Sequence, residues 1–310
     1  MKSKGSVDMI GTAALLGLVL FSSTTPAFLR LFIDELDGWT TNGVRYPFAA
    51  LLWMGPLIYQ MKKGRVNPRI WVAALVPTIP NFIGQAAWAW VPYYLDVSRM
   101  GFLSRSMVAC SIVAALIFFR DERPLLRSPR FWIGIVLSVG GFTAMSLAGA
   151  AMPTGSEWLG IAILVTSSLG FGLYSVGVRY SLEGTRPWVA FPVICLYTSV
   201  GTIIMMATLG EPGRLQEMSL SFIGILLLSS IIGIASAHVC FYMSIERLGV
   251  TLASSGMLAV PFWTYLWAFL FFDESLTLIQ WIGGIVLLIG GGYLISAQTA
   301  LRPFVLGQAK

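Results

Sequence analysis

Long apolar stretches alternate with short polar segments along the whole chain. The polar segments are rich in Gly, Pro and charged residues, which interrupt helices and mark turns. Each apolar stretch has about the 20 residues that a helix needs to cross a bilayer. The ten predicted spans are residues 9–29, 44–61, 70–91, 101–119, 131–151, 158–178, 188–209, 220–243, 248–272 and 276–297. The pattern predicts an all-α polytopic membrane protein with ten transmembrane helices and no separate soluble domain.

Composition supports a membrane protein and argues against several other classes. The chain is 56% hydrophobic and 11% charged, whereas soluble domains carry about 25% charged residues. The basic residues behind the net charge of +6 lie between the spans, so we expect no nucleic acid partner. The three cysteines lie inside apolar spans without metal-ligand spacing. We therefore expect no metal and no cofactor.

A motif that occurs twice divides the chain into two copies. Trp-Ile-Gly, followed by a Gly-Gly pair, begins at Trp132 and again at Trp281, 149 residues later. We therefore predict a first five-helix repeat over residues 1–152 and a second over residues 153–310. Because five is an odd number, the second copy must enter the membrane in the opposite direction, as an inverted repeat.

The charges between the spans predict the orientation. When the N-terminus is placed in the cytoplasm, most of the 20 Lys and Arg residues fall on the cytoplasmic side, as the positive-inside rule requires. Segment 120–130 carries four arginines, while its counterpart 273–280 carries none, which fits opposite orientations of the copies. We expect a multi-pass protein of a bacterial inner membrane with both termini in the cytoplasm.

Acidic residues precede the last span of each half, at Glu122 and Glu274, and Pro261 lies thirteen residues before Glu274. With ten spans in two halves, these residues make the chain similar to the drug/metabolite transporter superfamily, of the ten-helix EamA-like type. The resemblance covers nearly the whole chain and includes Arg45 at the start of helix 2. Asp273 departs from it, because the family usually has glycine there. The resemblance implies a carrier but no particular substrate, since members move amino acids, nucleobases, organic cations and other metabolites.

Four carboxylates in these motifs are candidates for ion coupling, namely Asp121, Glu122, Asp273 and Glu274. They lie at helix ends, where acidic side chains stabilise the N-terminus of the following helix. We therefore predict a structural role for them rather than a place in the substrate site.

Arg105, four residues into its predicted span, is the one full charge beyond the edge of a span, and a charge at the bilayer centre costs at least about 2.5–3.5 kcal/mol. One interpretation is an anchor that binds a substrate carboxylate through paired hydrogen bonds. The other is an arginine that reaches the outer interface and pairs with Asp96 or Asp34. The sequence supports both interpretations equally.

Helices 3 and 8 carry polar residues at helical spacing. Asn81, Gln85 and Trp88 share one face of helix 3. These three either line a cavity for a small polar metabolite or join neighbouring helices by hydrogen bonds. His238 and Tyr242 are four residues apart in helix 8. His238 either relays protons or stays neutral and bonds to a nearby backbone carbonyl.

No catalytic motif is present in the sequence, so we expect a secondary transporter and not an enzyme. The predicted substrate-binding residues are Arg105, Asn81, Gln85, Trp88, His238, Tyr242, Ser255, Trp263, Tyr174 and Thr25. Arg105 favours a small anionic or zwitterionic metabolite, with amino acid export as the preferred case. Transport would proceed by alternating access at the interface between the repeats.

Other functions stay open at the level of sequence. Aromatic residues in the spans would suit organic or quaternary cations through cation–π contacts. A lipid flippase and a non-transporting membrane scaffold are further alternatives. Helices 5 and 10 contain almost no polar residues. We assign these helices to internal packing or to the contact in a possible homodimer.

Overall fold

The computed structural model of the protein describes residues 8–147, 155–248, 253 and 256–308. These residues form helices and contain no strand. Short 3₁₀ helices lie in two connections, at Arg120–Arg127 and Pro212–Gln216. The long helices are α1 Met9–Phe32, α2 Gly38–Lys62, α3 Ile70–Tyr93, α4 Val97–Phe118, α5 Pro129–Leu147, α6 Gly155–Leu182, α7 Pro187–Leu209, α8 Leu220–Leu248, α9 Met257–Phe272 and α10 Leu278–Gln308.

Eight helices in the described part of the chain are long and apolar enough to cross a membrane. Helix α2 has 25 residues, but Thr40, Thr41, Asn42 and Arg45 make its first turns polar. Helix α9 is apolar but shorter than the usual spanning length. The prediction of a multi-pass membrane protein is therefore confirmed, while membrane crossing by α2 and α9 stays a prediction.

The described helices pack in a pattern that repeats between the two halves. Helix α5 packs along α10, and α2 packs along α7, so each of these helices meets its counterpart. Helix α3 packs against α6 just as α8 packs against α1, and α4 packs against α6 just as α9 packs against α1. The first helix of each half thus lies among helices of the other half. The halves are interlocked rather than side by side.

The paired counterparts run antiparallel. Gly134 of α5 faces Gly290 of α10. Gly141, two turns further along α5, faces Gly283 of α10. Residue numbers therefore rise along one helix as they fall along its neighbour. Glycine allows this approach, because a side chain at Gly141 would meet the backbone of α10.

Two of the long helices are interrupted where polar residues concentrate. Helix α4 is interrupted at Ser104 and Arg105, and the Ser104 hydroxyl donates a hydrogen bond to the carbonyl of Gly101 over 2.9 Å. Helix α8 contains a π-helical segment, Ile231–Ser236. Such segments are rare and often lie at functional sites. Both interruptions lie within helices that the first helices, α1 and α6, pack against.

The acidic residues before the last span of each half are structural, but Glu274 acts on a helix other than the predicted one. Its carboxylate accepts hydrogen bonds from the backbone N–H groups of Val97 (3.0 Å) and Ser98 (2.8 Å), and from the Ser98 hydroxyl (2.6 Å). Glu274 therefore caps the start of α4, not the start of the helix that follows it. In the first half, Asp121 and Glu122 pair with Arg179 of α6.

Asp273 ends α9 in the left-handed conformation, with φ 52° and ψ 26°. This conformation is strained for most residues and free of cost for glycine, which accounts for the glycine that the family resemblance leads one to expect here. We predict that Asp273→Gly stabilises the protein and raises its apparent melting temperature by about 1–3 °C. Asp273→Ala keeps the strained backbone and should not raise it. Equal effects of the two substitutions would show that backbone strain is not the cause.

Candidate functional site

Arg45 is fully enclosed between α2 and α8, with 2% of its surface exposed. Its Nε donates to Ser229 Oγ over 2.9 Å, and its Nη1 lies 3.4 Å from Asn42 Oδ1. Its backbone carbonyl accepts from the hydroxyl of Ser230. The sequence analysis did not include Arg45 among the site residues, because the predicted span began at residue 44. Since α2 begins at Gly38, Arg45 lies two turns inside the helix.

Arg105 lies at the interruption of α4 and reaches toward α9. Its Nη1 donates to the backbone carbonyl of Met257 over 3.2 Å, and its Nη2 donates to Ser104 Oγ over 3.1 Å. In the described part of the chain it has no carboxylate within 4 Å, so the predicted pairing with Asp96 or Asp34 does not form. The half-buried guanidinium contacts neutral oxygen atoms only.

The three predicted residues of helix 3 have different surroundings. Asn81 is buried and donates to Thr198 Oγ1 of α7 over 2.9 Å, which is the helix-joining role. Trp88 packs against the apolar cluster that includes Val91. Gln85 is half-buried, and its backbone carbonyl accepts from Asn42 Nδ2 over 2.9 Å. Asn81 and Trp88 therefore contact different elements, and a cavity lined by this face stays a prediction.

His238, Tyr242 and Tyr174 lie close together, and their role in substrate binding stays a prediction. The ring of His238 stacks on Phe191 with 4.0 Å between ring centroids, and its Nδ1 lies 2.6 Å from the carbonyl of Ile234. This contact is the one expected for a neutral histidine bonded to the backbone. The hydroxyls of Tyr242 of α8 and Tyr174 of α6 lie close enough to each other to interact.

The remaining predicted site residues are Thr25, Trp263 and Ser255. Thr25 of α1 is half-buried and lies directly beside Gly233 in the π-helical segment of α8. Trp263 of α9 is 41% exposed, and the ring contacts of the described residues do not connect it with the other candidates. Ser255 lies outside the described residues.

Two recesses open at the end of the molecule where α1 begins. One has a volume of about 560 Å³ and is lined by Asp8, Trp188 and Arg247, among others. The second has about 430 Å³ and mainly apolar walls that include Phe21 and Trp53, and it shares Trp188 with the first. The first lies at the ends of α1, α7 and α8, and the second is lined in part by the π-helical segment.

At the opposite end of the molecule, polar contacts join residues of different helices and connections. Asp37 accepts from the backbone N–H of Glu211 over 3.0 Å. Arg99 pairs with Glu157 over 2.7 Å, and Glu274 caps α4. Both recesses thus lie in the half of the molecule that contains Asp8, whereas these contacts lie at the end that contains Asp37.

Comparisons with known proteins give the family and the fold. The sequence model of the EamA-like transporter family matches residues 9–147 and 158–297. An uncharacterized transporter of Haemophilus influenzae is 22% identical over 181 residues. The matched region covers 58% of this chain and 60% of that relative. A crystal structure 14% identical in sequence, with a TM-score of 0.60, covers 92% of this chain and 95% of that chain, which shows the same fold. Because the family model matches most of the chain in two copies, the protein belongs to the EamA-like transporter family.

Proposed function

We propose that the protein is a secondary transporter that moves a small anionic or zwitterionic metabolite, with amino acids favoured. The observation that carries this proposal is a pair of arginines, Arg45 and Arg105, inside long helices and without a carboxylate partner within 4 Å among the described residues. A buried cation is costly until an anion pairs with it. A substrate carboxylate would supply that anion and gain charge-assisted hydrogen bonds.

The contacts between the halves support alternating access as the mechanism. The antiparallel packing of α5 with α10 fits repeats that cross the bilayer in opposite directions. With both termini in the cytoplasm, as the charges predict, the recesses face the cytoplasm. Transport would then break the polar contacts of Asp37, Arg99 and Glu274 at the outer end and close the recesses at the inner end.

A second candidate, transport of an organic cation, is supported by the aromatic walls of the smaller recess. Phe21, Trp53 and Trp188 line it, and the faces of such rings attract cations. The aromatic residues that would suit a cation from their positions in the sequence, Trp88, Trp90, Tyr174 and Trp263, are not among those that line this recess.

A ligand screen by thermal stability separates the two candidates. The purified protein and its Arg105→Ala variant are heated with amino acids, carboxylates, nucleobases and quaternary amines. A ligand at a hundredfold its Kd stabilises the folded state by about 2.7 kcal/mol. We expect an acid or a zwitterion to stabilise the wild type, and the response of Arg105→Ala shows whether Arg105 or the other arginine of the pair, Arg45, supplies the anchor. Arg214→Ala, in an exposed connection, is the control and should respond like the wild type.

The opposite pattern would contradict the proposal. A quaternary amine that stabilises wild type and Arg105→Ala equally, with no response to any acid, would favour the cation transporter. If no compound raises the melting temperature and none is taken up into proteoliposomes, the scaffold or the flippase is favoured.

A further inference from the structure

One guanidinium nitrogen of Arg45 has no hydrogen-bond acceptor among the described residues. Its Nε and Nη1 are held by Ser229 and Asn42, but its Nη2 is buried and without a hydrogen-bond partner in the described part of the chain. Buried polar groups are almost always paired, and each exception calls for an explanation. The first two contacts fix the guanidinium in place and leave Nη2 for something else.

The free nitrogen points to the place where α1 approaches the π-helical segment of α8. A Cβ atom at Gly233 would lie 2.7 Å from Thr25 Oγ1 and 3.4 Å from Arg45 Nη2. Two donors, one charged and one neutral, therefore converge over a residue that has no side chain. An oxyanion oxygen placed between them would accept from both groups, but α1 and α8 must first move apart, because Thr25 Oγ1 lies within 2.7 Å of the position of a Cβ atom at Gly233.

The smaller recess lies next to this place, although Thr25, Arg45 and Gly233 are not among the residues that line it. Leu52, which lines it, is two turns after Arg45 on the same face of α2. Phe21, also in its wall, is one helical turn before Thr25. A ligand with an apolar body in the recess would have its charged group next to Arg45.

The other arginines in the helices show what a purely structural role looks like here. Arg99 pairs with Glu157 over 2.7 Å, and Arg179 pairs with Asp121 and Glu122. Arg105 has no such partner, but both of its terminal nitrogens donate to protein oxygens. Among the described residues, the buried nitrogen without a hydrogen bond is Nε in Arg99 and Arg105, whereas in Arg45 it is the terminal Nη2. Arg45 is the most deeply buried of the four, and it is held by neutral groups that do not balance its charge.

We propose that the substrate carboxylate binds between Arg45 Nη2 and the Thr25 hydroxyl, over Gly233, with the apolar body of the substrate in the recess lined by Phe21 and Ile231. This assignment rests on the proposed transport function and names its anion site. It places the site between α1, α2 and α8, whereas the sequence analysis placed the anchor at Arg105. The ligand class is a small carboxylic acid, or zwitterion, with an apolar body.

The test compares two glycines of α8. Gly233→Ala fills the space over the π-helical segment without removing Arg45, while Gly224→Ala adds a methyl group where no atom lies within 4 Å. Purified full-length protein is titrated with sodium benzoate, sodium acetate or sodium phosphate at constant ionic strength, and the apparent melting temperature is recorded. We expect benzoate to stabilise the wild type and Gly224→Ala. Gly233→Ala should need at least about tenfold more benzoate, as loss of a charged hydrogen bond implies.

Thr25→Val provides a second variant of nearly the same shape. It removes the hydroxyl donor, and its half-maximal benzoate concentration should rise about five- to tenfold. An unchanged benzoate response in both Gly233→Ala and Thr25→Val would overturn the assignment to Arg45. If Arg105→Ala alone abolishes the response, the transport proposal stands and the anion site lies at Arg105. If phosphate stabilises as well as benzoate, the site takes inorganic anions and the carboxylate assignment fails. If no carboxylate stabilises the wild type or enters proteoliposomes, both proposals fail.

Discussion

Gly141→Ala is expected to destabilise the protein by about 2–3 kcal/mol, at the upper end of the usual cost of overpacking. The added methyl group would lie 2.4 Å from the backbone nitrogen of Leu287 and 2.6 Å from the carbonyl oxygen of Gly283. Both atoms belong to the backbone of α10 and have no rotamer to change. The two helices must therefore separate, along the contact that joins the last helix of each half.

The neighbouring residue provides the control. An alanine at Gly140 would meet no atom within 4 Å, and alanine favours a helix over glycine by up to about 1 kcal/mol. Gly140→Ala should therefore leave the apparent melting temperature unchanged or raise it slightly, while Gly141→Ala lowers it by several degrees. Similar curves for the two variants would show that α5 and α10 do not cross at these glycines.

Glu274→Ala is expected to cost about 2–3 kcal/mol, because three donors lose a charged acceptor. The N–H groups of Val97 and Ser98 belong to the first turn of α4 and have no acceptor within the helix. Water reaches the half-buried Glu274 and replaces part of the loss, so the expected cost is less than the sum of three charged hydrogen bonds.

Thermal unfolding of the purified variant measures this effect. Glu217→Ala, which removes an exposed carboxylate from a connection, is the control and should melt like the wild type. Glu274→Gln keeps one acceptor oxygen and should fall between wild type and Glu274→Ala. A variant Glu274→Ala as stable as Glu217→Ala would mean that the cap contributes nothing.

The architecture could be predicted from the sequence because the bilayer imposes it. A helix that spans a membrane must be apolar over its length, so the boundaries of α5, α6 and α7 follow from composition. Helix α2 was harder to place, because its first turns hold Thr40, Thr41 and Asn42. These polar residues are buried against other helices, and only tertiary packing reveals that.

The site was less predictable, because its partners are distant in the sequence. Arg45 and Ser229 are 184 residues apart, Asn81 and Thr198 are 117 apart, and Glu274 acts on Val97 across 177 residues. Spacing along one helix identified the polar residues but not what they contact. The π-helical segment that brings Gly233 next to Thr25 leaves no mark in a pattern of apolar and polar positions.

The interlocked halves impose an order on biosynthesis. Helix α1 has its main partners in α8 and α9, which leave the ribosome long after it. At about 5–20 residues per second, α1 waits in the membrane for some tens of seconds before α8 is made. During that interval its buried face, which includes Leu18, Ser23 and Leu29, must contact lipid or the insertion machinery. The first half of the chain therefore cannot reach its native packing until translation has passed the middle of the second.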